Sequence, residues 1–285
     1  MTPSLGVKKM VLPLFPPTSS ASSGILSFFN AALVDSAFLR PMFSISLFEK
    51  ENIIAPFVMT LVALMLFRNS GGNFVLYAIL GGGMMGMWGN TLYSSGYSIQ
   101  FDRWNGTLEA VLATPAPLVW IIAGRSLWNA LIGMINAVFI FVIAVLWFRV
   151  PLDLADPLLF FLALFVTLMS LAALGLVFSS AFVLTRNASV LTNGLEFPIY
   201  VGTGTMFPIA LLPAWSGPLS LSLAPSWGID AMRYSALSGY VGLDPGYWGD
   251  MVMMLVLAIV YLMLAFLLFR RIEDRVRVKG DIGRA

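Results

Sequence analysis

The stretch at residues 251–269, MVMMLVLAIVYLMLAFLLF, decides the class of fold. It holds nineteen consecutive residues without a charged side chain and is followed by the pair Arg270-Arg271. A helix that crosses the hydrocarbon core of a bilayer needs about 20 mostly apolar residues, and basic side chains are typical of the cytoplasmic flank of such a helix. The stretch therefore predicts a membrane-spanning helix.

The composition of the whole chain agrees with this prediction. Of the 285 residues, 59% are hydrophobic and only 11% are charged. A soluble domain carries about 25% charged residues, because its surface must be solvated. A fraction of charged residues below half of that value is too small to solvate the surface of a soluble domain, so most of the surface must face lipid. We expect an integral protein of the cell membrane.

Five further apolar runs upstream bring the prediction to six transmembrane helices in an all-α fold. They cover residues 53–67, 74–99, 118–148, 158–184 and 188–212. Residues 49–52 can extend the first run into the headgroups, so the six-span domain is predicted over residues 49–269. Residues 213–250, between the fifth and sixth runs, are rich in Trp and Tyr and too apolar for an exposed loop. We expect short re-entrant helices in the outer leaflet there, since irregular backbone at membrane depth must be buried in protein.

The distribution of Lys and Arg predicts the orientation. Six spans place both termini on one side of the membrane. With the termini inside, 13 of the 16 basic residues are cytoplasmic, and the three outside are Arg68, Arg149 and Arg233. The positive-inside rule therefore predicts that both termini are cytoplasmic.

The two ends of the chain receive separate predictions. Prolines at positions 13, 16 and 17 interrupt the first apolar stretch, so residues 1–24 are expected to form a flexible cytoplasmic tail. Residues 25–48 are predicted to be an amphipathic helix lying in the interface. The alternative is a seventh span, which Asp35 and Arg40 disfavour because charges are costly at membrane depth. Residues 270–285 are predicted to be a basic cytoplasmic tail that touches anionic lipid.

The absence of two residue types excludes several functions. The chain has no cysteine and no histidine, which removes disulfides, thiolate metal sites, the commonest general base and the commonest transition-metal ligand. The charged residues lie at the ends of apolar runs and form no basic patch, which speaks against nucleic-acid binding. We therefore predict no catalytic residue, no metal site and no enzyme activity on this chain.

A polar stretch between the second and third spans carries the most specific signal. Residues 101–118 read FDRWNGTLEAVLATPAPL, and Gly124-Arg125 follows. Thr107 can cap a helix, and Leu108, Val111 and Leu112 form an apolar stripe. We expect a short amphipathic helix on the cytoplasmic face, in which the charged side chains stay in water: Asp102, Arg103 and Glu109.

These motifs resemble those of the permeases of type-2 ABC exporters. The family signature is a Gly-Thr-Leu-Glu element, then Thr-Pro, then Gly-Arg. The chain carries it at Gly106-Thr107-Leu108-Glu109, Thr114-Pro115 and Gly124-Arg125. A weaker second match follows the fifth span, at Phe207-Pro208, Leu212-Pro213, Pro225, Ile229-Asp230 and Arg233. Together the matches extend over residues 101–233, nearly half of the chain.

The resemblance implies a permease that dimerises, with a second copy or with a homologous permease, and that docks two ABC ATPase subunits. The stretch at 101–113 would be the coupling helix, and the turn at Arg186 a second contact. The residues expected to contact the ATPase are Asp102, Arg103, Trp104, Asn105, Gly106, Thr107, Leu108, Glu109 and Arg186. The basic tail is a further, less favoured contact. Because no Gly-Lys dipeptide occurs, the chain has no phosphate-binding P-loop, so ATP and Mg²⁺ are expected on the partner ATPase.

Glu196 is the only acidic residue placed inside a predicted span, and two interpretations stay open. It faces the translocation pathway, as intramembrane ionisable groups often do, or it forms a structural hydrogen bond with Asn193 or Asn90. The translocation-path candidates are Asn90, Met87, Asn193, Glu196, Phe197 and Tyr200. Gly82 and Gly86, four residues apart, favour close helix packing over a pathway lining.

The leading hypothesis for function is export of an amphipathic or hydrophobic molecule, such as a drug, a natural product or a lipid-like compound. The nearest alternative is a polysaccharide or glycolipid ABC exporter. An ATP-independent secondary transporter is less favoured, because no inverted repeat or pair of broken helices is evident.

Overall fold

The computed structural model is helical through most of the chain that it describes. It describes residues 57, 58, 60–62, 65, 72–106, 111, 118–148, 154–184, 188–205, 209, 212–240, 242–243 and 246–279, and no strand occurs among them. The predicted tail at 1–24 and the predicted interfacial helix at 25–48 lie outside these residues. In the first predicted span, residues 57, 58, 60–62 and 65 are helical.

The described elements are seven α-helices and one 3₁₀ turn. In chain order they are α1 Gly72–Trp104, α2 Leu118–Phe148, α3 Pro157–Leu184, α4 Ala188–Gly202, the 3₁₀ turn Ala214–Ser216, α5 Gly217–Leu221, α6 Ala224–Ala236 and α7 Tyr247–Lys279.

Three helices in the described part of the chain are long and apolar enough to cross a membrane. They are Leu118–Phe139 within α2, Pro157–Phe182 within α3 and Tyr247–Ile272 within α7. These match the predicted third, fourth and sixth spans, which confirms the all-helical membrane class. The other three predicted spans stay predictions. Helix α7 continues past Arg270 and Arg271 to Lys279, so the first part of the predicted basic tail extends the last helix.

Helix α1 is the centre of the bundle and packs against α2, α3, α4 and α6. All of its residues from Ile79 to Leu92 are buried. Glycines permit this close packing: a Cβ on Gly82 would lie 1.7 Å from the Thr60 hydroxyl oxygen, and one on Gly133 of α2 would lie 3.0 Å from the Met87 carbonyl oxygen. The packing role expected of Gly82 agrees with this contact.

Helix α4 is shorter than the predicted fifth span. The prediction of one apolar run over 188–212 as a single helix is wrong, because α4 ends at Gly202 and is only about 22 Å long at 1.5 Å per residue. Gly204 has a positive φ of 73°, a conformation that glycine adopts without strain. The Thr205 hydroxyl donates to the Tyr200 carbonyl at 2.6 Å. The helix therefore ends in a turn at residues 203–205.

The segment after α4 is helical and deeply packed. As predicted, it forms short helices, namely the 3₁₀ turn, α5 and α6. Twelve of the thirteen residues of α6 are buried, because the helix lies against both α3 and α7 and also touches α1. A Cβ on Gly228 would lie 2.6 Å from the Thr167 hydroxyl of α3. The buried backbone of α6 thus has protein, rather than water, around it.

Candidate functional sites at the two ends of helix α1

The first site is the exposed turn at the C-terminal end of α1. The helix runs without a break through Trp104, and the chain then turns at Asn105 and Gly106. Gly106 has a φ of +67°. Trp104 is 67% exposed, and Asn105 and Gly106 are exposed as well. Residues 101–104 are therefore the last turn of a long helix, which agrees with the prediction that this stretch is rigidly continuous with the preceding span.

An ion pair joins this end of α1 to α2. The Arg125 guanidinium donates to the Asp102 carboxylate at 2.5 Å, and each side chain is 13% exposed. The prediction that Asp102 stays in water is wrong, because α2 packs beside α1 and brings Arg125 to it. The Gly-Arg motif had been noted in the sequence, but its partner had not been identified.

Several predicted coupling residues lie outside the described part of the chain. These are Thr107, Leu108, Glu109 and Arg186. Arg103 is placed on the last turn of α1 through its backbone alone. The role of all these residues in contacting an ATPase stays a prediction.

Two of the pathway candidates lie in the interior of the bundle. Met87 and Asn90 are 1% and 2% exposed. The Asn90 amide donates to the backbone carbonyl of Asn129 on α2, and the Thr91 hydroxyl donates to the Met87 carbonyl at 2.8 Å. The first of these contacts holds α1 against α2, and the second lies within α1.

Glu196 is half-buried on α4 and contacts another predicted residue. The Tyr200 hydroxyl lies 3.0 Å from Glu196 Oε1 and 3.3 Å from the Met85 carbonyl oxygen, so Tyr200 connects α4 to α1. The sequence had proposed Asn193 or Asn90 as the partner of Glu196, and the structure adds Tyr200, one helical turn away. Asn193 and Phe197 lie on the same helix, and their side chains are not described.

The second site lies near the N-terminal end of α1 and is centred on Arg233. This side chain of α6 is 2% exposed. Its two terminal nitrogens donate to the carbonyl oxygens of Gly204 and Thr205, at 2.8 and 3.1 Å. Its guanidinium carbon lies 3.3 Å from the centre of the Tyr77 ring on α1, a cation–π contact. Arg233 thereby fastens the turn after α4 to both α6 and α1.

Two buried carboxyl groups lie beside Arg233. Asp230 is 5% exposed and accepts hydrogen bonds from the Tyr240 hydroxyl and the Leu243 amide, both at 2.8 Å. Asp250 lies in the first turn of α7, which packs against α6, and it is 0% exposed. We call Tyr77, Asp230, Arg233, Tyr240 and Asp250 the outer cluster.

The environment of the outer cluster fixes the charge of two of its members. Burial raises the pKa of Tyr240 far above its usual value, and the neighbouring Asp230 raises it further, so Tyr240 stays a neutral donor. Burial lowers the pKa of Arg233, but an arginine starts high enough to stay charged. The sequence did not predict this site. Two local signals were present: Asp230 and Arg233 belong to the weaker second motif match, and their i, i+3 spacing places opposite charges on one helix face.

Comparison with known proteins identifies the family. The sequence profile described as "ABC-2 type transporter" matches residues 30–237, more than two thirds of the chain, and includes both the α1 turn and most of the outer cluster. No curated protein is similar enough to count as a match. The apolar helices, the motifs at the end of α1 and this match agree with one another, and the chain belongs to the ABC-2 type transporter family as a membrane permease component.

Proposed function

We propose that the chain is the permease of an ATP-driven exporter that moves an amphipathic or hydrophobic molecule out of the cell, powered by two separate ABC ATPase subunits that carry ATP and Mg²⁺. Two permeases, either identical or homologous, form the complex in the cell membrane. Both termini and the Asn105–Gly106 turn face the cytoplasm. The family match and the lack of a P-loop in the sequence support this proposal.

The continuous helix α1 is the observation that carries the proposal. Its 33 residues span about 50 Å, from beside the outer cluster to the exposed turn. Tyr77 and Asp102, which contact Arg233 and Arg125 respectively, are about 38 Å apart along the helix axis. A helix is stiff over this length, so a push by an ATPase at the turn moves both ends of α1 together.

The contacts of α1 determine where such a movement goes. At the cytoplasmic end, the Asp102–Arg125 pair transfers it to α2. At the other end, Gly81 approaches the turn after α4 so closely that a Cβ would lie 2.3 Å from the Thr205 carbonyl oxygen. A shift of α1 therefore also moves the turn after α4. In this mechanism, ATP hydrolysis drives the shift, and the movement of the turn opens an exit for the substrate.

Co-purification and transport test the proposal. The tagged permease is expressed with the ABC ATPase encoded nearest to it, purified and reconstituted with a fluorescent amphipathic probe. We expect a stable complex and probe movement that stops when the ATPase carries a substitution in its P-loop lysine. Movement driven by an ion gradient without ATP, and no bound ATPase, would instead show a secondary transporter.

A matched pair of variants tests the exposed turn. Gly106→Val places a β-branched residue at positive φ and strains the turn, whereas Gly217→Ala changes a glycine with open space around it. We expect the first variant to lose ATPase binding or coupling and the second to retain both. Labelling of Asn105→Cys by an impermeant thiol reagent from the outside only would contradict the proposed orientation.

A further inference from the structure

We propose that residues 213–222, which comprise the 3₁₀ turn and α5 and are called the α5 tip below, lie inside the membrane and present a surface that binds the hydrocarbon chains of lipid. Tyr261 of α7 holds the tip in this position. The sequence predicted short helices buried in protein here, whereas the structure gives the tip one face that the described part of the chain does not cover. The existence of this surface does not depend on the transport function proposed above.

The α5 tip has apolar residues outside and polar residues inside. All of its exposed residues except Ser222 are apolar. Trp215 and Leu219 are 79% and 59% exposed, whereas Ser216 and Ser220 are 7% and 0% exposed. A short helix that faces water has the opposite arrangement. The surrounding sequence agrees, because residues 197–229 contain no charged side chain. The tip therefore faces an apolar medium.

The backbone of the α5 tip is satisfied by the protein itself. A five-residue helix leaves its last carbonyl groups without partners inside the helix, and in a loop that faces water the solvent supplies them. Here the donors are the hydroxyls of four serines and of Tyr261 and the indole N–H of Trp227, at 2.5–3.1 Å. The carbonyl groups that accept these bonds belong to Pro213, Ser216, Leu219, Ser220, Leu221 and Ser222. Backbone at membrane depth must be satisfied in this way, because no water is present.

Tyr261 determines how deep the tip lies. Its hydroxyl donates to the Ser222 carbonyl at 2.7 Å and accepts from the Ala224 amide at 3.2 Å. Tyr261 lies fourteen residues after Tyr247, where the candidate span of α7 begins, and this separation is about 21 Å along the helix. Trp248 beside it is 66% exposed, as is typical of an aromatic side chain at the membrane border. The tip is therefore inside the hydrocarbon core, which is about 30 Å thick.

Helix α3 gives the same depth independently. The Ser235 carbonyl near the end of α6 accepts a hydrogen bond from the Asp156 amide, just before α3, at 2.9 Å. Further along both helices, a Cβ on Gly228 would lie 2.6 Å from the hydroxyl of Thr167, about 15 Å into α3. Ala224 is four residues, or about 6 Å, beyond Gly228. Helix α6 thus leads from the membrane border down to the tip.

The surroundings of the tip indicate its partner. Near Tyr261, the apolar residues Ile259, Leu262 and Met263 of α7 are 56%, 49% and 63% exposed. Because Tyr261 joins the tip to α7, the exposed apolar residues of both elements lie at one depth. Hydrocarbon chains occupy the space beside a spanning helix at this depth. The α5 tip offers these chains an uncharged apolar surface, so lipid is the partner that fits it.

Collision rates of spin labels test the surface. The chain has no native cysteine, so single nitroxide labels can be attached to Trp215→Cys and Leu219→Cys. The full-length permease is labelled in detergent and then reconstituted into phosphatidylcholine vesicles. Ile259→Cys, which is 56% exposed at a similar depth on α7, is the lipid reference. Asp156→Cys, at an exposed position before α3, is the water reference.

The measured quantity is the collision rate with oxygen divided by that with a water-soluble nickel complex. We expect this ratio to be the same at both tip positions as at Ile259→Cys and well above that at Asp156→Cys, because oxygen concentrates in hydrocarbon. A ratio equal to that of Asp156→Cys would show that the tip lines water. Low collision rates with both reagents would show that a protein surface, such as a second copy of the chain, covers the tip. Either result overturns the proposal, and neither bears on binding of an ATPase.

A second measurement tests the role of Tyr261. Tyr261→Phe keeps the ring but loses both hydrogen bonds to the segment around Ser222. We expect the label at Leu219→Cys to become more mobile in this background and its collision ratio to change. Tyr234→Phe, at a position that is 43% exposed, is the matched control and should change neither. An unchanged spectrum and collision ratio in Tyr261→Phe would refute the role of Tyr261 in holding the tip.

Discussion

The two ends of helix α1 hold charges in opposite ways. At the C-terminal end, Asp102 and Arg125 form an ion pair with each side chain 13% exposed. At the N-terminal end, Arg233 and its neighbours form the outer cluster, in which Asp250 is fully buried. Loss of a hydrogen-bond partner costs a partly buried polar group about 1–3 kcal/mol, whereas removing one partner from a buried ionic network costs about 3–5 kcal/mol.

This difference suggests a division of labour. A partly exposed pair can exchange its contact for water when it opens, as suits an end that receives a push. The outer cluster is connected through several hydrogen bonds and is expected to separate as a unit. The following predictions test this contrast, from the largest expected effect on stability to the smallest.

Arg233→Met should be the most destabilising change. It removes both hydrogen bonds to the Gly204 and Thr205 carbonyls and leaves Asp230 without its nearby positive charge, at an expected cost of about 3–5 kcal/mol. Arg233→Lys keeps the charge but loses the guanidinium group that makes both hydrogen bonds. The stability of this variant should lie between those of Arg233→Met and the native protein. Thermal unfolding of the purified permease measures both. Equal unfolding midpoints for all three proteins would show that the outer cluster does not stabilise the turn after α4.

Gly81→Ala should have the next largest effect on stability. The new methyl group meets the Thr205 backbone carbonyl, and overpacking of this kind costs about 1–3 kcal/mol. Gly194→Ala in α4 is the matched control, because nothing lies within 4 Å of its Cβ, and it should stabilise the helix by up to about 1 kcal/mol. If Gly194→Ala destabilises the protein as much as Gly81→Ala does, the close approach of α1 to the turn is not the cause of the lost stability.

Charge substitutions at the Asp102–Arg125 pair should affect coupling as well as stability. Arg125→Ala is expected to lower the free energy of unfolding by about 1–3 kcal/mol, because the partly buried Asp102 loses this ion pair, and to reduce the amount of probe moved per ATP hydrolysed. The double variant Asp102→Arg, Arg125→Asp restores the pair in reverse and should recover part of the coupling. Normal coupling in Arg125→Ala would show that α2 does not receive movement from α1 through this contact.

Substitution of Glu196 should have the smallest effect on stability. Glu196→Gln can still accept a hydrogen bond from Tyr200, so assembly should be retained while transport rate or substrate preference changes. Glu196→Leu should reduce transport more strongly, and Tyr200→Phe serves as the control for loss of the hydrogen bond alone. If Gln and Leu both transport normally, Glu196 belongs to neither the pathway nor the bundle contacts. If both fail to bind the ATPase, its role is structural.

Much of the fold could be predicted from local sequence. The apolar runs behind α2, α3 and α7 were identified by length and composition, because a bilayer requires about 20 apolar residues in succession whatever the rest of the chain does. The short helices after α4 were also anticipated from their aromatic and apolar content. Where a boundary depended on packing, as at the end of α4, the sequence did not indicate it, because the apolar run continues past Gly202 through the turn at residues 203–205.

The functional sites divide in the same way. The motif at Gly106–Glu109 and Gly124-Arg125 was sufficient to suggest the family, since it is a contiguous pattern. The pairing of Asp102 with Arg125, 23 positions apart, was not visible in it. The outer cluster joins Tyr77 to residues more than 150 positions later, and no local pattern connects them.

The sequence by itself determined the membrane class, the helical content and the absence of a P-loop, because these depend on composition and on contiguous motifs. Tertiary structure alone decided which charges meet. Asp102 and Asp250 are both single acidic residues beside an apolar run, yet one is partly exposed and paired with Arg125 and the other is completely buried. The energy of a charge depends on the groups that surround it in space, and the fold brings those groups together from distant parts of the chain.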